Sequence, residues 1–416
     1  MGSFYGVPPA DVRVVWAPYR VCPLGAHIDH QLGTVTAMAI DRGVHLAFAP
    51  SGSSEVRVRS LTYPGEVRFA VDRVPPRQDA DWGNYPRGAA FALGREVPLR
   101  RGILGLTSGN LAGVGLSSSA SVGLAYLLAL EEVNDLPRAR SENIRLDQVI
   151  ENDYLGLRNG ILDQTAILES VRDHLTVIDC RAFDGSGEQA SAQPVDPSAV
   201  RNRGKGEAGH PAACSVTRRL PKNPHVPEWA ILIASSGLTK AVIATDYNRR
   251  VTECAEAAAI LLRAAGRASA SPRLGWVTPE EYRAHRSLLG RPMARRAEHF
   301  FTEMDRVRRG LDAWQQGDLA SLGRLMRESG ESSIRNYECG SPELIDLHEI
   351  LNATPGIPGA RFSGAGFRGC CVALAERRVA ESVLPAIRRE FAARRPELAT
   401  RSEFFVCHSS DGAQIL

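Results

Sequence analysis

A glycine- and serine-rich segment that leads into an apolar stretch constrains the fold of this chain most. The segment Gly113-Val-Gly-Leu-Ser-Ser-Ser-Ala120 precedes residues 122–133, whose apolar pattern predicts a buried helix. Backbone N–H groups and serine hydroxyls at such a helix start can bind phosphate, because the helix dipole is positive there. A glycine turn with a serine N-cap explains the segment alone equally well. The Walker pattern G-x-x-x-x-G-K-[ST] is absent.

The pattern of strands and helices indicates an α+β protein of two domains. A length of 416 residues exceeds what one hydrophobic core usually supports. A stretch from Phe183 to Pro227 has no hydrophobic period, which predicts a mobile inserted loop. We therefore expect domains at 1–225, with the insertion at 183–225, and at 226–416. Strands are predicted at 13–16, 35–39, 44–49, 55–59, 67–71, 229–235 and 370–374, and further helices at 144–156, 248–263 and 293–314.

Composition excludes several functional classes. Hydrophobic residues make up 44% of the chain and charged residues 23%, with a net charge of +3, as in ordinary soluble globular proteins. Arginines spread along the chain supply nearly all the positive charge, which argues against a nucleic-acid partner. No apolar run approaches the roughly 18 residues of a membrane span, and no signal peptide is recognisable, so a cytoplasmic protein is expected. The eight cysteines form no Cys-x-x-Cys pair, which favours reduced, buried thiols.

Three segments resemble the signatures of the GHMP kinases, a family that includes galactokinases, homoserine kinases and mevalonate kinases. They run from Arg20 to Asp29, from Gly113 to Ala120 and from Arg361 to Cys370, in the order in which the family carries them. Further segments at 82–85, 159–164 and 247–250 resemble galactokinases in particular. The resemblance implies the two-domain GHMP kinase fold, with an N-terminal domain of the ribosomal-protein-like type and a ferredoxin-like C-terminal domain. Substrates would bind in the cleft between them.

The resemblance also implies roles for individual residues. Asp163 corresponds to the acid that accepts the proton of the anomeric hydroxyl, and Arg20 to the arginine beside it. Glu151 and Ser119 correspond to protein ligands of Mg²⁺. Lone carboxylates are also common as helix caps, and an Arg20–Asp163 pair is compatible with a structural ion pair. The implied sugar site comprises Ala26, His27, Asp29, His30, Asn159, Tyr247, Gly364 and Arg368. The implied ATP site comprises Trp82, Tyr85, Gly113, Gly115, Ser117, Ser118 and Ser119, of which the two aromatic residues are also compatible with plain core positions.

Departures from the galactokinase pattern bear on the substrate. Ala26 stands where galactokinases have a glutamate that accepts a hydrogen bond from the C6 hydroxyl of the sugar. Two like charges about 4 Å apart cost roughly 4 kcal/mol at an effective dielectric of 20, about a thousandfold in affinity. Alanine removes that barrier to a C6 carboxylate, and either His30 or Arg368 is a candidate source of positive charge.

These departures, with residues 154–164 and 333–339, resemble the branch of the family that phosphorylates galacturonate at C1. That resemblance implies ATP and galacturonate as substrates and Mg²⁺ as cofactor. Two alternatives remain: a galactokinase of relaxed specificity, and a catalytically silent sensor of sugar and ATP.

Overall fold

A computed structural model of the protein describes residues 1–109, 115–183, 217–238, 243–367 and 369–416. Gly113, Arg368, Cys214 and most of the insertion expected at 183–225 lie outside these ranges. Within them, runs of strands and runs of helices follow one another, as expected for an α+β protein. No helix of the described ranges is long and apolar enough to cross a membrane.

Two sheets organise the described part of the chain. The larger sheet has the order β12-β1-β2-β5-β3-β4, with β6 on β2 and β7 on β6, and the smaller has the order β11-β8-β10-β9. The strands of the larger sheet are β1 (Arg13–Val21), β2 (Thr34–Pro50), β3 (Glu55–Ser60), β4 (Glu66–Ala70), β5 (Ile103–Gly109), β6 (His174–Asp179), β7 (Thr217–Pro221) and β12 (Gln414–Ile415). Those of the smaller sheet are β8 (Trp229–Ser235), β9 (Ala360–Phe362), β10 (Cys370–Glu376) and β11 (Glu403–Cys407).

The α-helices pack against these sheets or against one another. They are α1 (Gly2–Tyr5), α2 (Asn84–Gly94), α3 (Ser118–Val133), α4 (Arg140–Gln148), α5 (Leu162–Glu169), α6 (Ile243–Ala264), α7 (Pro279–His285), α8 (Arg291–Gln316), α9 (Leu319–Ser332), α10 (Pro342–Ala353) and α11 (Arg377–Arg394). Single turns of 3₁₀-helix occur at Pro9–Asp11, Asp29–Gln31, Cys180–Phe183, Leu274–Trp276, Arg286–Leu288 and Pro396–Leu398, and π-helical turns at Val149–Tyr154 and Ser333–Tyr337.

Apolar periodicity explains how the main helices are buried. Helix α3 packs against β1, β2 and α2, and most of its residues from Ala120 to Val133 are buried. Helix α8 lies between α6 and α9. Its buried stripe runs through Phe300, Glu303 and Val307 at spacings of three and four residues, the period of one helix face. The single carboxylate in this stripe, Glu303, therefore lies inside the protein.

Three expectations about the elements need correction. The segments 35–39 and 44–49 form one strand, β2. The strand can pass through position 43 because glycine has no Cβ; a Cβ there would lie 2.4 Å from the carbonyl oxygen of Ala17. The helix expected at 144–156 consists of the end of α4 and the π-helical turn Val149–Tyr154. Part of the stretch interpreted as a loop, Thr217–Pro221, is a strand, because its backbone pairs with β6.

The end of the chain returns to the larger sheet. After β11 in the smaller sheet, Ser409 bridges Ile40 of β2, and β12 pairs antiparallel with β1. The backbone N–H of Ala413 donates to the carbonyl oxygen of Ile167 near the end of α5. The C-terminal segment therefore holds the two sheets in one arrangement around α5.

Candidate active site

A cavity of about 360 Å³ gathers most of the residues that the sequence singled out. Its wall combines β1, the loop after it, the start of α3, the π-helical turn, α5 and the glycine loop before β10. The predicted site residues that line it are Arg20, Ala26, His27, Asp29, Trp82, Tyr85, Gly115, Ser117, Ser118, Ser119, Glu151, Asn159, Asp163, Tyr247 and Gly364. His30 is absent from the wall, and Gly113 and Arg368 lie outside the described residues.

An ion pair between Arg20 and Asp163 lies in the cavity. Arg20 Nε donates to Asp163 Oδ1 at 2.7 Å. Arg20 Nη1 donates to the carbonyl oxygen of Gly115 at 3.4 Å and to Ser363 Oγ at 3.3 Å. Burial alone lowers the pKa of Arg20, but the charge of Asp163 outweighs it and the pKa is raised. The guanidinium therefore stays charged beside Asp163.

Asp163 is oriented from a second side by the glycine- and serine-rich segment. It lies in the first turn of α5, where the helix dipole favours a negative charge. Ser117 Oγ donates to Asp163 Oδ2 at 2.5 Å. Ser117 precedes α3 in a left-handed conformation, φ 57°, and its side chain makes no capping hydrogen bond to that helix. The Ser117 hydroxyl therefore bonds Asp163 and does not form the N-cap that the sequence also allowed.

The loop that carries Ala26 is fixed from behind by α8. Glu303 Oε1 accepts the backbone N–H groups of Gly25 and Ala26 at 2.8 and 3.2 Å, and His299 Nε2 lies 2.9 Å from the Ala26 carbonyl oxygen. Burial opposes the ionisation of Glu303, but the positive charge of Arg306 outweighs it and lowers the pKa of Glu303 to about 2. An ionised carboxylate in the core thus holds the loop while Ala26 faces the cavity.

Two histidines near this loop are uncharged. His27 stacks on Tyr337 with ring centroids 4.3 Å apart, and burial lowers its pKa well below the usual value. Burial likewise lowers the pKa of His30 to about 3. His30 lies behind the wall, with Nε2 3.2 Å from the Tyr337 hydroxyl and Nδ1 3.0 Å from Gln31 Nε2. The expectation that His30 supplies a positive charge is therefore wrong, because a buried imidazole with neutral partners stays neutral.

Asp29 is a buried carboxylate close to the ion pair. Burial and, second to it, the charge of Asp163 raise its pKa to about 6. The backbone N–H groups of His30 and Leu162 donate to it and partly offset that effect. Gly160 allows this contact, since a Cβ at that position would lie 2.6 Å from Asp29 Oδ2. Asp29 is thus placed to accept a hydrogen bond from a hydroxyl group in the cavity.

The residues expected at the metal fit a hard divalent cation. Asn159 Nδ2 donates to Glu151 Oε2 at 3.3 Å and the Ser119 hydroxyl also bonds Glu151, whereas Glu151 Oε1 is buried without a hydrogen-bond partner. Burial and the nearby Asp163 raise the pKa of Glu151. A carboxylate oxygen and a hydroxyl are ligands that Mg²⁺ prefers, together with waters and phosphate oxygens. The described residues contain no group of three or more histidine, cysteine or acidic side chains that would hold a metal alone.

Two aromatic residues also line the cavity. Trp82 and Tyr85 are half-buried and contribute to its wall together with Ser60, Tyr63 and Val122. Trp82 Nε1 donates to the carbonyl oxygen of Pro64 at 3.2 Å, which fixes the indole ring. Both side chains are therefore not fully buried core residues, which was the alternative that the sequence allowed. Flat apolar side chains on a cavity wall suit contact with a planar ring system.

Four residues of the site were not singled out from the sequence. Glu303 and Ser363 act through hydrogen bonds to the loop after β1 and to Arg20. Asp147 lies one helical turn before Glu151 and is fully buried with both carboxylate oxygens unpartnered. Arg361, the first residue of the third signature, lines the cavity. The i, i+4 spacing of Asp147 and Glu151 was a usable signal, because it places both side chains on one helix face.

Profiles of known families match three regions of the chain. Residues 2–50 match the galactokinase galactose-binding signature, residues 84–170 the GHMP kinase N-terminal domain and residues 310–393 the GHMP kinase C-terminal region. These ranges contain β1 with Arg20, the residues of the ion pair and the glycine loop near Gly364.

Similar proteins cover the whole chain. A galacturonokinase of Arabidopsis thaliana is 43% identical over 436 residues, which is 99% of this chain and 95% of that protein. A galactokinase of Roseiflexus sp. (strain RS-1) is 30% identical, over 98% of this chain and 93% of that protein. The solved structure of Lactococcus lactis galactokinase complexed with galactose superposes with a TM-score of 0.84 at 25% identity, covering 100% of this chain and 97% of that one. A mevalonate kinase, 14% identical with a TM-score of 0.61, shares the fold.

Proposed function

The chain belongs to the GHMP kinase family, in its galactokinase-like branch, and from this premise we propose that it phosphorylates D-galacturonate at C1. The products would be galacturonate 1-phosphate and ADP. The observation that carries the proposal is Ala26, which lines the sugar end of the cavity on a loop fixed by Glu303 and His299. Because no acidic side chain stands at this position, a sugar carboxylate meets no like charge there.

The phosphoryl transfer is assigned to the Arg20–Asp163 pair. In this scheme Asp163 accepts the proton of the anomeric hydroxyl while that oxygen forms a bond to the γ-phosphorus and the bond to the ADP oxygen breaks. The hydrogen bonds from Arg20 and Ser117 leave Asp163 held at both oxygens, so the carboxylate needs no rearrangement to meet the hydroxyl. Arg20 also offsets negative charge that develops on the transferred group.

The nucleotide and its metal are assigned to the segment before α3 and to the π-helical turn. Gly113, Gly115, Ser117, Ser118 and Ser119 would bind the phosphates, and Trp82 and Tyr85 would contact the adenine. Glu151 and Ser119 would hold Mg²⁺. When bound, this ion would neutralise phosphate charge and orient the γ-phosphate. The unpartnered Oε1 of buried Glu151 supports this assignment, since a buried carboxylate oxygen requires a partner.

The sugar hydroxyls are assigned to neutral and acidic groups beside Ala26. Asp29, His27 and Asn159 would accept or donate hydrogen bonds, and Tyr247 and Gly364 would contact the ring; all five line the cavity. His27 suits this role because burial keeps it neutral, so it can accept as well as donate. His30 would act only through Tyr337, and Arg368 stays a candidate contact.

We also propose the domain bounds, the cellular location and the classes of partner. We place the two domains at 1–225 and 226–416, with the smaller sheet in the second. A cytoplasmic protein is proposed because all cysteines in the described ranges are free and buried, as in a reducing compartment. Nucleic-acid and membrane partners are not proposed, because the positive charge is spread along the chain and answered by acidic residues.

A substrate comparison tests the proposed function. The purified protein is given Mg·ATP with galacturonate, galactose or glucuronate, and ADP release and sugar 1-phosphate are measured. Galacturonate should give the highest kcat/KM, and Ala26→Glu should lower that value by roughly a hundredfold or more. A clear preference for galactose would favour a galactokinase of relaxed specificity instead. ATP binding without turnover of any of the sugars would favour a sensor.

A further inference from the structure

Two residues behind the cavity wall hold the imidazole ring of His27. The ring stacks on Tyr337 with the two planes 8° apart. Its Nε2 lies 3.5 Å from the Sγ atom of Cys339, a buried residue that does not contribute to the wall. Both partners belong to residues 333–339, a segment to which no role has been assigned so far. The ring therefore has a fixed plane and a partner at one of its two nitrogens.

The other nitrogen of this ring is accessible from the cavity. His27 lines the wall, and its Nδ1 makes no hydrogen bond within the described ranges. Nδ1 is also not one of the polar atoms that are buried without a partner, so a ligand can reach it. Burial lowers the pKa of His27 well below its usual value, and a neutral imidazole has one donor and one acceptor nitrogen. The partner of Nε2 thus decides whether Nδ1 donates or accepts.

The thiol of Cys339 has its hydrogen available for His27. Burial raises the pKa of this thiol to about 12, so it stays protonated. Its other possible acceptor is the carbonyl oxygen of Ser333, also 3.5 Å from Sγ. That oxygen already accepts the backbone N–H groups of Glu338 and Cys339, which occupy its two lone pairs. The thiol is therefore left to donate to His27 Nε2, and the neutral ring then carries its own hydrogen on Nδ1.

We propose that Cys339 is a positioning residue that fixes His27 in the tautomer with the hydrogen on Nδ1, so that His27 donates to an acceptor oxygen of the sugar. With the hydrogen on Nε2, a lone pair on Nδ1 would face that oxygen and the hydrogen bond would be lost. The donor complements Asp29 and Asp163 on the same wall, whose ionised carboxylates only accept. This inference rests on the proposed function for the identity of the sugar, and it gives one sugar contact a direction.

The ¹⁵N NMR signals of the histidine rings test the tautomer in the free protein. The chain contains ten histidines, and the signals of His27 are those missing from His27→Gln. In the wild type, Nδ1 should carry the hydrogen and Nε2 should carry none. Cys339→Ser keeps a donor and should keep this pattern, whereas Cys339→Ala removes the donor and should populate the other tautomer. The matched control is Cys371→Ala, which removes a buried thiol that donates to the Leu344 carbonyl oxygen outside the wall.

Steady-state kinetics test the consequence for sugar binding. Loss of one hydrogen bond in Cys339→Ala should raise the KM for galacturonate roughly tenfold. The kcat and the KM for ATP should change little, because this contact is made equally in the ground state and the transition state. Cys339→Ser and Cys371→Ala should stay within about threefold of the wild-type KM. If Cys339→Ala does not fold, Cys339→Val takes its place, since valine fills a similar volume and has no donor.

The outcomes separate this inference from the proposed function. A wild type with the hydrogen on Nε2 overturns the inference whatever sugar the protein uses, and so does a tautomer that is unchanged in Cys339→Ala. A changed tautomer without a rise in the KM for the sugar overturns the assigned donation from His27. A wild type that phosphorylates galactose but not galacturonate overturns the proposed function alone. The NMR spectrum then still decides the role of Cys339, and the KM is measured with galactose.

Discussion

At the scale of single residues, the site depends on which buried charges are paired. Asp163 is held by Arg20 and Ser117, Glu303 by Arg306 and backbone N–H groups, and Arg361 by no acid within the described ranges. Two carboxylates therefore have defined orientations, and one guanidinium has no acidic partner within the described ranges. The partners of Asp163 are distant along the chain, whereas Arg306 lies three residues after Glu303 on α8.

Asp163→Asn should abolish phosphoryl transfer without loss of nucleotide binding. An amide cannot accept the proton, so kcat should fall by roughly a factor of 10² to 10⁴. Turnover is measured with galacturonate, and binding with a non-hydrolysable ATP analogue. The matched control is Asp135→Asn, an exposed aspartate that pairs with Arg101 at 3.0 Å outside the cavity. Retention of more than a tenth of the wild-type kcat would show that another group accepts the proton.

Asp29 should set the acid limb of the pH profile. Its pKa of about 6 in the free protein means that it is protonated below that pH and loses its capacity as a charged acceptor. The kcat/KM for galacturonate should therefore fall about tenfold per pH unit below about pH 6, while the substrate carboxylate stays ionised. Asp29→Asn should lower the plateau and remove this limb. An acid limb that stays near pH 6 in Asp29→Asn would assign it to a different group.

The sequence predicted the identity of most wall residues but not their charge states. Arg20, Asp163 and Glu151 could be named because each lies in a motif with a known spacing. The neutrality of His30 and the unpaired state of Arg361 could not be predicted from the sequence. Both depend on burial and on side chains more than two hundred positions away, such as Tyr337 and Cys22. Arg361 was part of a quoted signature, yet its isolation is a property of three-dimensional packing.

At the scale of elements, α8 holds the loop that carries Ala26 through Glu303. Because the pKa of Glu303 is lower in the folded protein than the value of 4.5 in the unfolded chain, its ionisation stabilises the fold above pH 4.5. This contribution is lost as the pH falls towards about 2. Glu303→Gln should lower the free energy of unfolding by roughly 3 kcal/mol at pH 7.

The difference in the free energy of unfolding between the wild type and Glu303→Gln should narrow by about 1 kcal/mol when the pH falls from 7 to 4. Urea unfolding at three pH values measures it. Glu298→Gln on the same helix, whose partner is Tyr282, is the control. A gap that is independent of pH would mean that Glu303 acts through packing and not through its charge.

The turn before α5 depends on Gly160 for its contact with Asp29. A Cβ at that position would lie 2.6 Å from Asp29 Oδ2 and 2.7 Å from its backbone carbon. Gly160→Ala should therefore displace Asp29 and lower kcat/KM for the sugar by roughly tenfold or more, with a smaller effect on nucleotide binding. Gly94→Ala, at the end of α2 with open space around the added methyl, should leave activity unchanged. Equal activity of both variants would refute the close contact.

Elements with a clear local pattern were predicted better than those that depend on pairing. The β-branched segments and the apolar stretch 122–133 were assigned to the correct type of element, although β1 extends to Val21 and α3 begins at Ser118. Strand β7 escaped prediction because its sequence, Thr217–Pro221, is polar and extended only through its pairing with β6. The π-helical turn Val149–Tyr154 likewise has no periodic signal of its own.

At the scale of the whole molecule, the cavity requires both sheets. Arg20 comes from the larger sheet, and Arg361 and Ser363 come from or follow β9 in the smaller one. Arg20 Nη1 lies 3.3 Å from Ser363 Oγ, so residues from the two sheets meet at the Arg20–Asp163 ion pair. The C-terminal segment closes this arrangement, since it leaves the smaller sheet and pairs with β1 of the larger one.

The C-terminal segment also contacts the far end of the helix that carries Asp163. Gly412 N–H donates to the carbonyl oxygen of Ser170 at 2.9 Å, and Ala413 N–H to that of Ile167 at 2.7 Å. A Cβ on Gly412 would lie 2.5 Å from the carbonyl oxygen of Leu168, a backbone atom that cannot move aside without shifting α5.

Gly412→Ala should therefore loosen the C-terminal segment and α5 together. The free energy of unfolding should fall by roughly 1–3 kcal/mol, because an inserted methyl in a packed contact forces the backbone apart. Since Asp163 lies at the other end of the two-turn α5, kcat should fall as well, although every cavity residue is unchanged. Urea unfolding and steady-state kinetics measure the two effects. Gly2→Ala, whose added methyl would meet its nearest neighbour at 3.8 Å, is the control. A loss of stability with unchanged kcat would mean that the docking of this segment holds the sheets together without positioning Asp163.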